Sequence, residues 1–459
     1  MESWKEWRGQ GGRRVRLIIG FAILIILGIA LMRVGSRETY VKGQPSYEDI
    51  GLLMESISRI KSDYVEEKDT KTLIYNAIKG MLRGLDPYSD FLDPQEYRDF
   101  SQETSGSFGG IGIELGMEDG IPTVIAPIEG TPAYRAGLRS GDKILKINGQ
   151  ETRGMSIMDA VHKLRGPKGT EVVLTIGRQG VQPFEVKLIR DIIKIETVKS
   201  RIINGNIGYI RITNFYERTG SDLEEALKEM DKNGIRNLIL DLRNDPGGLL
   251  STAVEVAKKF IGDRKLIVYT RGRAKGQSVQ FFADSNTGHP RYNLVVLVNK
   301  GSASASEIVA GAIQDHKVGV IVGTKTFGKG SVQQIYPLSD GMSAMKLTTS
   351  KYYTPSGRCI EGKGIEPDIV VEDKDELAAI RIFLERPDFT EEQLRNYVGK
   401  LKKELGIVIE ESLIRKAMEL KDRGIEGRME LDPQLMRAVE ILKRGKSTDS
   451  EVSRRSPRD

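Results

Sequence analysis

The longest unbroken apolar stretch of the chain is "LIIGFAILIILGIALM", residues 17–32, which holds no charge and no proline. As a helix it covers roughly 24 Å, a little short of the ~30 Å hydrocarbon core of a bilayer, and flanking arginines could snorkel across the difference. Lys5, Arg8, Arg13, Arg14 and Arg16 precede it. The positive-inside rule therefore predicts a transmembrane signal-anchor, with residues 1–16 as a basic cytoplasmic tail and everything after residue 36 on the outer side. A cleaved signal peptide is the alternative, but the run is long for an h-region and no A-x-A site follows it. Residues 37–45 are polar, include Gly43 and Pro45, and predict a linker.

Beyond the linker the apolar period changes three times. Over residues 46–104, "IGLLMESISRI" and "LIYNAIKGMLRGL" repeat at helical spacing. They predict a module of two or three helices, broken at "LDPYSDFLDP" by Pro87 and Pro94. No chemistry is evident there, and a packing or dimer element is the simplest role. Over residues 105–190, short β-rich runs ("IGIEL", "PTVIAPI", "KILKING", "EVVLTIGR", "FEVKLIR") alternate with glycine turns and with one helical stretch, "SIMDAVHKLRG". Asn148-Gly149 predicts a tight hairpin within them. Over residues 191–372 strands alternate with helices, from "IGYIRITNF" to "VGVIVG", which predicts a layered α/β core with mainly parallel strands. Residues 373–444 are charged and helical, and residues 445–459 predict a disordered tail. A chain of 459 residues suits two to four folding units at about 150 residues each. The expected architecture is a multidomain α/β chain: membrane anchor, helical module, β-rich domain, layered core and C-terminal helices.

Charge and cysteine change the picture little. The net charge of +6 is spread along the chain apart from its two ends, which gives no support to nucleic-acid binding. The single cysteine, Cys359, excludes an internal disulfide framework and leaves the redox compartment open.

The chemistry concentrates at "NKGSASASEIVAG", residues 299–311, where Ser302, Ser304 and Ser306 alternate between a buried strand and an amphipathic helix. A serine exposed at such a turn sits at a helix N-terminus, where backbone N–H groups and the helix dipole favour a developing oxyanion. Helix capping explains one serine but not the run of small residues before it. A hydroxyl nucleophile needs a base. His162, His289 and His316 lie in no motif-like setting and read as surface or structural residues. "GTKTFGKGSVQQI" offers Lys325 and Lys329 among glycines, with Gln333 and Gln334 just beyond.

Two resemblances sharpen this. "FGGIGIEL" followed by "GTPAYRAGLRSGDKILKINGQ" resembles a PDZ domain, which implies that Gly110, Ile111, Gly112 and Ile113 turn backbone N–H groups toward a peptide's terminal carboxylate. The peptide would then add as a strand. "VLVNKGSASASEIVAGAIQD", "TKTFGKGSVQ" and "LILDLRNDPGGLL" are similar to the carboxyl-terminal processing peptidases, tail-specific serine proteases that join a PDZ domain to a Ser-Lys core. That resemblance covers residues 46–372. It implies Ser304 as nucleophile, Lys329 as general base, Gln333 as its orienter, and an oxyanion hole from the Ala305 N–H with Gly247 or Gly248. With Ser302 at the strand end and Ser306 at the capping position, Ser304 is the serine free to point outward.

Lys329, bracketed by Gly328 and Gly330, admits close approach of another backbone, whereas Lys325 reads as solvated. An ordinary lysine, with a pKa near 10.4, is neutral only about once in a thousand at pH 7, a barrier of about 4 kcal/mol that burial has to remove. Asp315 is expected to face solvent at its helix end, and Arg165, in "LRGPKG", is a candidate gate whose plainer reading is a solvated loop arginine.

The implied function is that of a serine endopeptidase acting on extracytoplasmic proteins or peptides with free apolar C-termini, without metal or cofactor. The sequence leaves room for a homo-oligomer and for an adaptor protein, and it does not identify the natural substrate. An acyl-CoA hydratase or isomerase on a related α/β core, and a catalytically silent PDZ scaffold, are the competing classes. The export anchor and PDZ pattern oppose the first, and intact Ser304, Lys329 and Gln333 oppose the second.

Overall fold

The strands of residues 237–241, 293–298 and 320–323 are apolar on both faces, and such strands need cover on both sides. The computed structural model describes residues 47–286, 288–384, 389–423 and 429–444, and it supplies that cover. The sheet runs Val198–Ile203, Ile207–Ile212, Asn237–Asp241, Asn293–Val298, Val320–Gly323, Ile369–Val370; its first pairing is antiparallel and the other four are parallel. Helices Thr219–Lys232, Leu250–Lys258 and Ala305–Asp315 contribute Leu223, Leu227, Val256, Val309 and Ile313 to the core on one face. Helix Pro433–Arg444 covers the other with Leu435, Val439 and Leu442. Each fully buried aliphatic side chain contributes roughly 1.5–3 kcal/mol, so this double layer is a stiff support for whatever its strand ends carry. The buried Arg243 guanidinium, bonded to Asp241 and to Asp432, ties the last helix to the end of a core strand.

A second sheet is antiparallel throughout, unlike the parallel pattern expected of this region. Asp90–Leu92 pairs with Ala344–Tyr353, which also pairs with Leu266–Gly272 and with Ser331–Pro337, while Gln280–Phe282 borders Leu266–Gly272. Its first strand, Asp90–Leu92, is far in sequence from the strand it joins, so local periodicity could not pair them.

The β-rich segment forms its own antiparallel sheet, ordered Ile113–Glu118, Ile121–Pro127, Lys143–Ile147, Glu171–Gly177, Phe184–Ile189. Helix Ile157–Leu164 packs Ala160 and Leu164 into the same core. The expected hairpin is present: Asn148 and Gly149 both take positive φ, 50° and 78°, and form the two-residue turn between the paired Ile147 and Gln150. A two-stranded ribbon, Ser107–Gly110 with Asp191–Lys194, closes the ends of the segment.

The described residues up to 78 and the described residues from 79 onward belong to two separate compact units. In the first, helix Tyr47–Asp63 is followed by the start of helix Thr70–Arg83. The third helix expected of the module is Pro94–Thr104, capped by Asp93 in a full capping box with Glu96. Helices Asp375–Phe383, Glu391–Leu405 and Glu411–Leu420 pack around Phe383, Phe389 and Leu394. The predicted anchor at residues 17–32, its basic flank and the tail 445–459 lie outside the described residues. Among the described residues, no helix is long and apolar enough to cross a membrane.

Candidate active site

The central strand Asn293–Val298 is followed by Asn299, and bonds both local and to the neighbouring loop fold the next residues back. Asn299 Oδ1 accepts from Gly301 N (3.0 Å) and from Asn244 N (2.9 Å) of the neighbouring loop. Ser302 is fully buried, donating to Leu242 O at 2.7 Å and accepting from Asn299 N. It belongs to the strand end, as expected. Ser304 then enters the helix with φ 55° and ψ −111°, backbone that a non-glycine residue adopts only where its surroundings impose it. The helix N-cap is thus Ser304 itself. Ser306, expected to cap, lies inside the helix, buried, with Oγ donating to Asp245 O at 3.1 Å.

The loop Asp245–Gly248 meets this turn. A side chain at Gly247 would come within 2.7 Å of Ala303 O and 2.8 Å of Ala305 N, which explains a residue without Cβ there. The two glycines, open alternatives in the sequence, now differ. The Gly247 N–H is taken by Asp245 Oδ1 at 2.8 Å. The Gly248 and Ala305 N–H groups have no hydrogen-bond acceptor within the described chain. Asp245 clamps the turn further by accepting from Ala303 N at its carbonyl. Its carboxyl is buried, with Oδ2 unpartnered, and burial pushes its pKa up to about 8.

Lys329 arrives from the antiparallel sheet side, held to Ser304 by a residue the sequence analysis passed over. Glu307 is fully buried. Its Oε2 accepts from Ser304 N (2.8 Å) and Lys329 N (2.9 Å), and its Oε1 from Thr326 Oγ1 (2.5 Å) and Gly328 N (2.7 Å). One carboxylate therefore fixes both the proposed nucleophile and the proposed base. Ser304-x-x-Glu307 has capping-box spacing, a signal that could have found it. Tyr352, buried on the adjoining strand, donates to Lys329 O. The expected close approach at the flanking glycines is present, since a Cβ on Gly330 would sit 2.3 Å from Glu361 N.

Burial lowers the Lys329 pKa, and Lys346 adds to the effect, against the opposing carboxylates Glu361 and Glu307. The Lys329 ammonium lies 4.8 Å from the centroid of the Tyr88 ring. Among the hydrogen bonds of the described residues none joins Lys329 Nζ to Ser304 Oγ or to Gln333. Gln333 Nε2 instead donates to Ser331 Oγ (3.0 Å) and Thr348 Oγ1 (3.1 Å). The structure thus brings Ser304, Ala305, Gly248 and the Lys329 backbone together, and leaves the Ser-Lys contact and the Gln333-Lys329 contact unmade.

The alternative bases are occupied elsewhere. His162 stands 3.2 Å from Asp99, and His316 Nε2 is 2.6 Å from Leu266 O. His289 is not a surface residue. Its side chain is buried between Asp231 (2.7 Å) and Glu224 (3.0 Å), because the turn-rich loop folds back on helix Thr219–Lys232. Lys325 is exposed and pairs with Glu366. Asp315 does not face solvent: its carboxylate, 7% exposed, accepts from Ser356 N at 2.8 Å and from Arg358. Arg165 is not simply solvated either, since its guanidinium lies 4.6 Å from the centroid of the Phe108 ring.

In the β-rich domain, Ile113–Glu118 is an edge strand, open to another strand on one side and next to helix Ile157–Leu164. The preceding loop is pinned by its carbonyls. Ile111 O accepts from Ala133 N, and Gly112 O from Ile128 N and Thr131 Oγ1. Gly110 is paired with Asp191 and Ile111 is buried.

A strained serine at a helix N-terminus, two unpaired amides beside it, a desolvated lysine and a separate antiparallel sheet with an open edge are the parts of a PDZ-containing serine peptidase. Comparison with known proteins agrees. Residues 206–371 match the profile of peptidase family S41, and residues 123–178 match that of the PDZ domain. The chain is 44% identical over 363 residues to a carboxy-terminal-processing protease of Bartonella bacilliformis, covering 78% of this chain and 83% of the relative. It is 37% identical to the carboxy-terminal processing protease CtpA of Bacillus subtilis, covering 78% of each. Among solved structures, a photosystem II D1 C-terminal processing protease is 31% identical, with 72% of this chain and 94% of that one covered at a TM-score of 0.43. The chain belongs to the carboxy-terminal processing proteases of family S41 and is a serine protease.

Proposed function

We propose that this protease cleaves proteins whose free, apolar C-termini are captured by the PDZ domain, and that Ser304 and Lys329 carry the chemistry. Lys329, neutral, takes the Ser304 hydroxyl proton as Oγ attacks the peptide carbonyl. The Gly248 and Ala305 amides receive the oxyanion. The lysine ammonium returns the proton to the leaving amine, and water, deprotonated by the same lysine, opens the acyl-enzyme. Gln333 orients the lysine once its amide turns from Thr348. The observation that carries this reading is the shared carboxylate of Glu307, which bonds the backbone of both residues and so fixes their separation.

The loop from Gly110 to Ile113 captures the tail carboxylate, and the edge strand Ile113–Glu118 pairs with the peptide. The apolar run at residues 17–32 anchors the enzyme, and its substrates lie on the outer side of the membrane. The test is one polypeptide presented with a free and with an amidated C-terminus to the enzyme and to its Ser304→Ala form. Ser304→Ala should be inert, and amidation should depress kcat/KM by one to two orders of magnitude, the worth of a charge-assisted hydrogen bond. Equal cleavage of both tails removes tail capture, and turnover by Ser304→Ala removes the nucleophile.

A further inference from the structure

The segment between helix Thr70–Arg83 and strand Asp90–Leu92 shows no chemistry in its sequence pattern, yet it forms a wall of the peptidase site. Asp86 organises it. Its Oδ1 accepts from Tyr88 N (2.8 Å), Ser89 N (2.9 Å) and Thr348 Oγ1 (3.1 Å), and its Oδ2 from Ser89 Oγ (2.7 Å). Ser89 Oγ accepts in turn from Thr348 N at 3.0 Å. Burial opposes ionisation of Asp86, but these donors outweigh it and hold the carboxyl below its ordinary value. The next residues, Asp90–Leu92, add as an edge strand to Ala344–Tyr353. The turn is therefore fastened at both ends to the strand that carries Thr348 and Tyr352, and its one aromatic ring, Tyr88, is the ring that meets Lys329 Nζ.

We propose that Tyr88 is a positioning residue of the Ser304–Lys329 site: its ring seats the Lys329 ammonium between turnovers, and Asp86 holds that seat in register with Gln333 through Thr348. The inference rests on Lys329 being the base. An aromatic face attracts an ammonium and not a neutral amine. While Lys329 is protonated the ring retains it. Once the proton passes to solvent the attraction ends, and the amine is free to turn to Ser304 Oγ. The ring also shields the amine from water, an effect of opposite sign on its protonation. The other groups acting on Lys329 are Lys346, on the same strand as Thr348, Glu361, on the loop that pinches Gly330, and Glu307, on the nucleophile helix.

The two effects of the ring separate by substitution. The rate of Ser304 phosphorylation by diisopropyl fluorophosphate needs the base but no docked peptide. In that reaction the Oγ–P bond forms, fluoride leaves and the hydroxyl proton passes to Lys329. Tyr88→Leu keeps an apolar cover without a π face, so the ascending limb of the pH–rate profile should move down by about 0.5–1 pH unit, three- to tenfold in rate on that limb. Tyr88→Phe should leave the limb at its wild-type position, and Tyr88→Ala, which admits water, should move it up toward the ordinary lysine value. Tyr88→Met repeats the π-free cover should Tyr88→Leu not fold. A folded Tyr88→Leu or Tyr88→Met enzyme with an unmoved limb overturns the proposal and makes the ring packing only. Lys329→Ala separates the two roles: normal phosphorylation of that variant removes the base assignment itself, whereas its silence beside an unmoved Tyr88→Leu limb removes the seat alone.

Discussion

Replacing Glu307 by glutamine tests the clamp between Ser304 and Lys329, the proposed nucleophile and base, most directly. The carboxylate accepts four bonds, two at each oxygen, all in a dry interior. The amide that replaces it would keep one oxygen and put an NH2 group in place of the other. If the oxygen stays with Ser304 N and Lys329 N, the NH2 faces Thr326 Oγ1 and Gly328 N. The Thr326 hydroxyl can rotate to accept, although it already accepts from Ile365 N at 2.7 Å, but the Gly328 N–H is left without a partner. One buried unsatisfied donor costs about 1–3 kcal/mol, and the remaining two bonds each lose charge assistance of roughly 1 kcal/mol. Relief of the buried charge offsets part of this. The expected loss is about 2–4 kcal/mol, or a fall in Tm of roughly 5–15 °C for a domain of this size. Because Ser304 and Lys329 share the clamp, a displacement near 1 Å should also lower the acylation rate by about a hundredfold, with little change in KM. Thermal unfolding and burst-phase acylation measure the two effects. Wild-type acylation in a folded Glu307→Gln enzyme would refute the claim that this carboxylate sets the distance between nucleophile and base.

The other predictions concern single groups. Ser304→Ala should abolish acylation, whereas Ser302→Ala, which strips the bond to Leu242 O, should retain it and lose about 1–3 kcal/mol in denaturant unfolding. Lys329→Arg keeps a charge that cannot be removed at working pH and should be as inactive as Lys329→Ala in peptide hydrolysis; activity in the arginine variant would move the base elsewhere. Asp245 has a folded pKa of about 8, above its unfolded value, so its contribution to stability falls as pH rises from about 4 to 8, by up to about 1.4 kcal/mol per unit. Asp245→Asn should remove that slope and raise Tm at pH 8; a melting profile with the wild-type pH dependence would show that Asp245 is not the group responsible.

How much of this was legible in sequence follows from where the determining forces are local. The PDZ hairpin is local, because Asn148-Gly149 favours the positive φ angles that a two-residue turn requires. The parallel strands announce themselves because burial on both faces demands unbroken apolar runs. The Ser304 turn is marked by small residues between such a strand and a helix, and the spacing of Ser304 and Glu307 is a helix-start pattern that was open to view. The rest was decided by distance in space. Which of Gly247 and Gly248 keeps a free N–H depends on where the Asp245 carboxylate falls. Asp315 looks like a surface residue until Arg358 is folded against it, and whether His289 is surface or structural is decided only when Asp231 is folded against it. Tyr88 is remote in sequence from Lys329, in a stretch whose pattern signals only a helix break, and it reaches the lysine because Asp90–Leu92 pairs with the distant strand Ala344–Tyr353. Periodicity encodes which face of an element is buried. It carries no information on which distant element does the burying, and in this protease that is what sets the protonation of the lysine and the position of the serine.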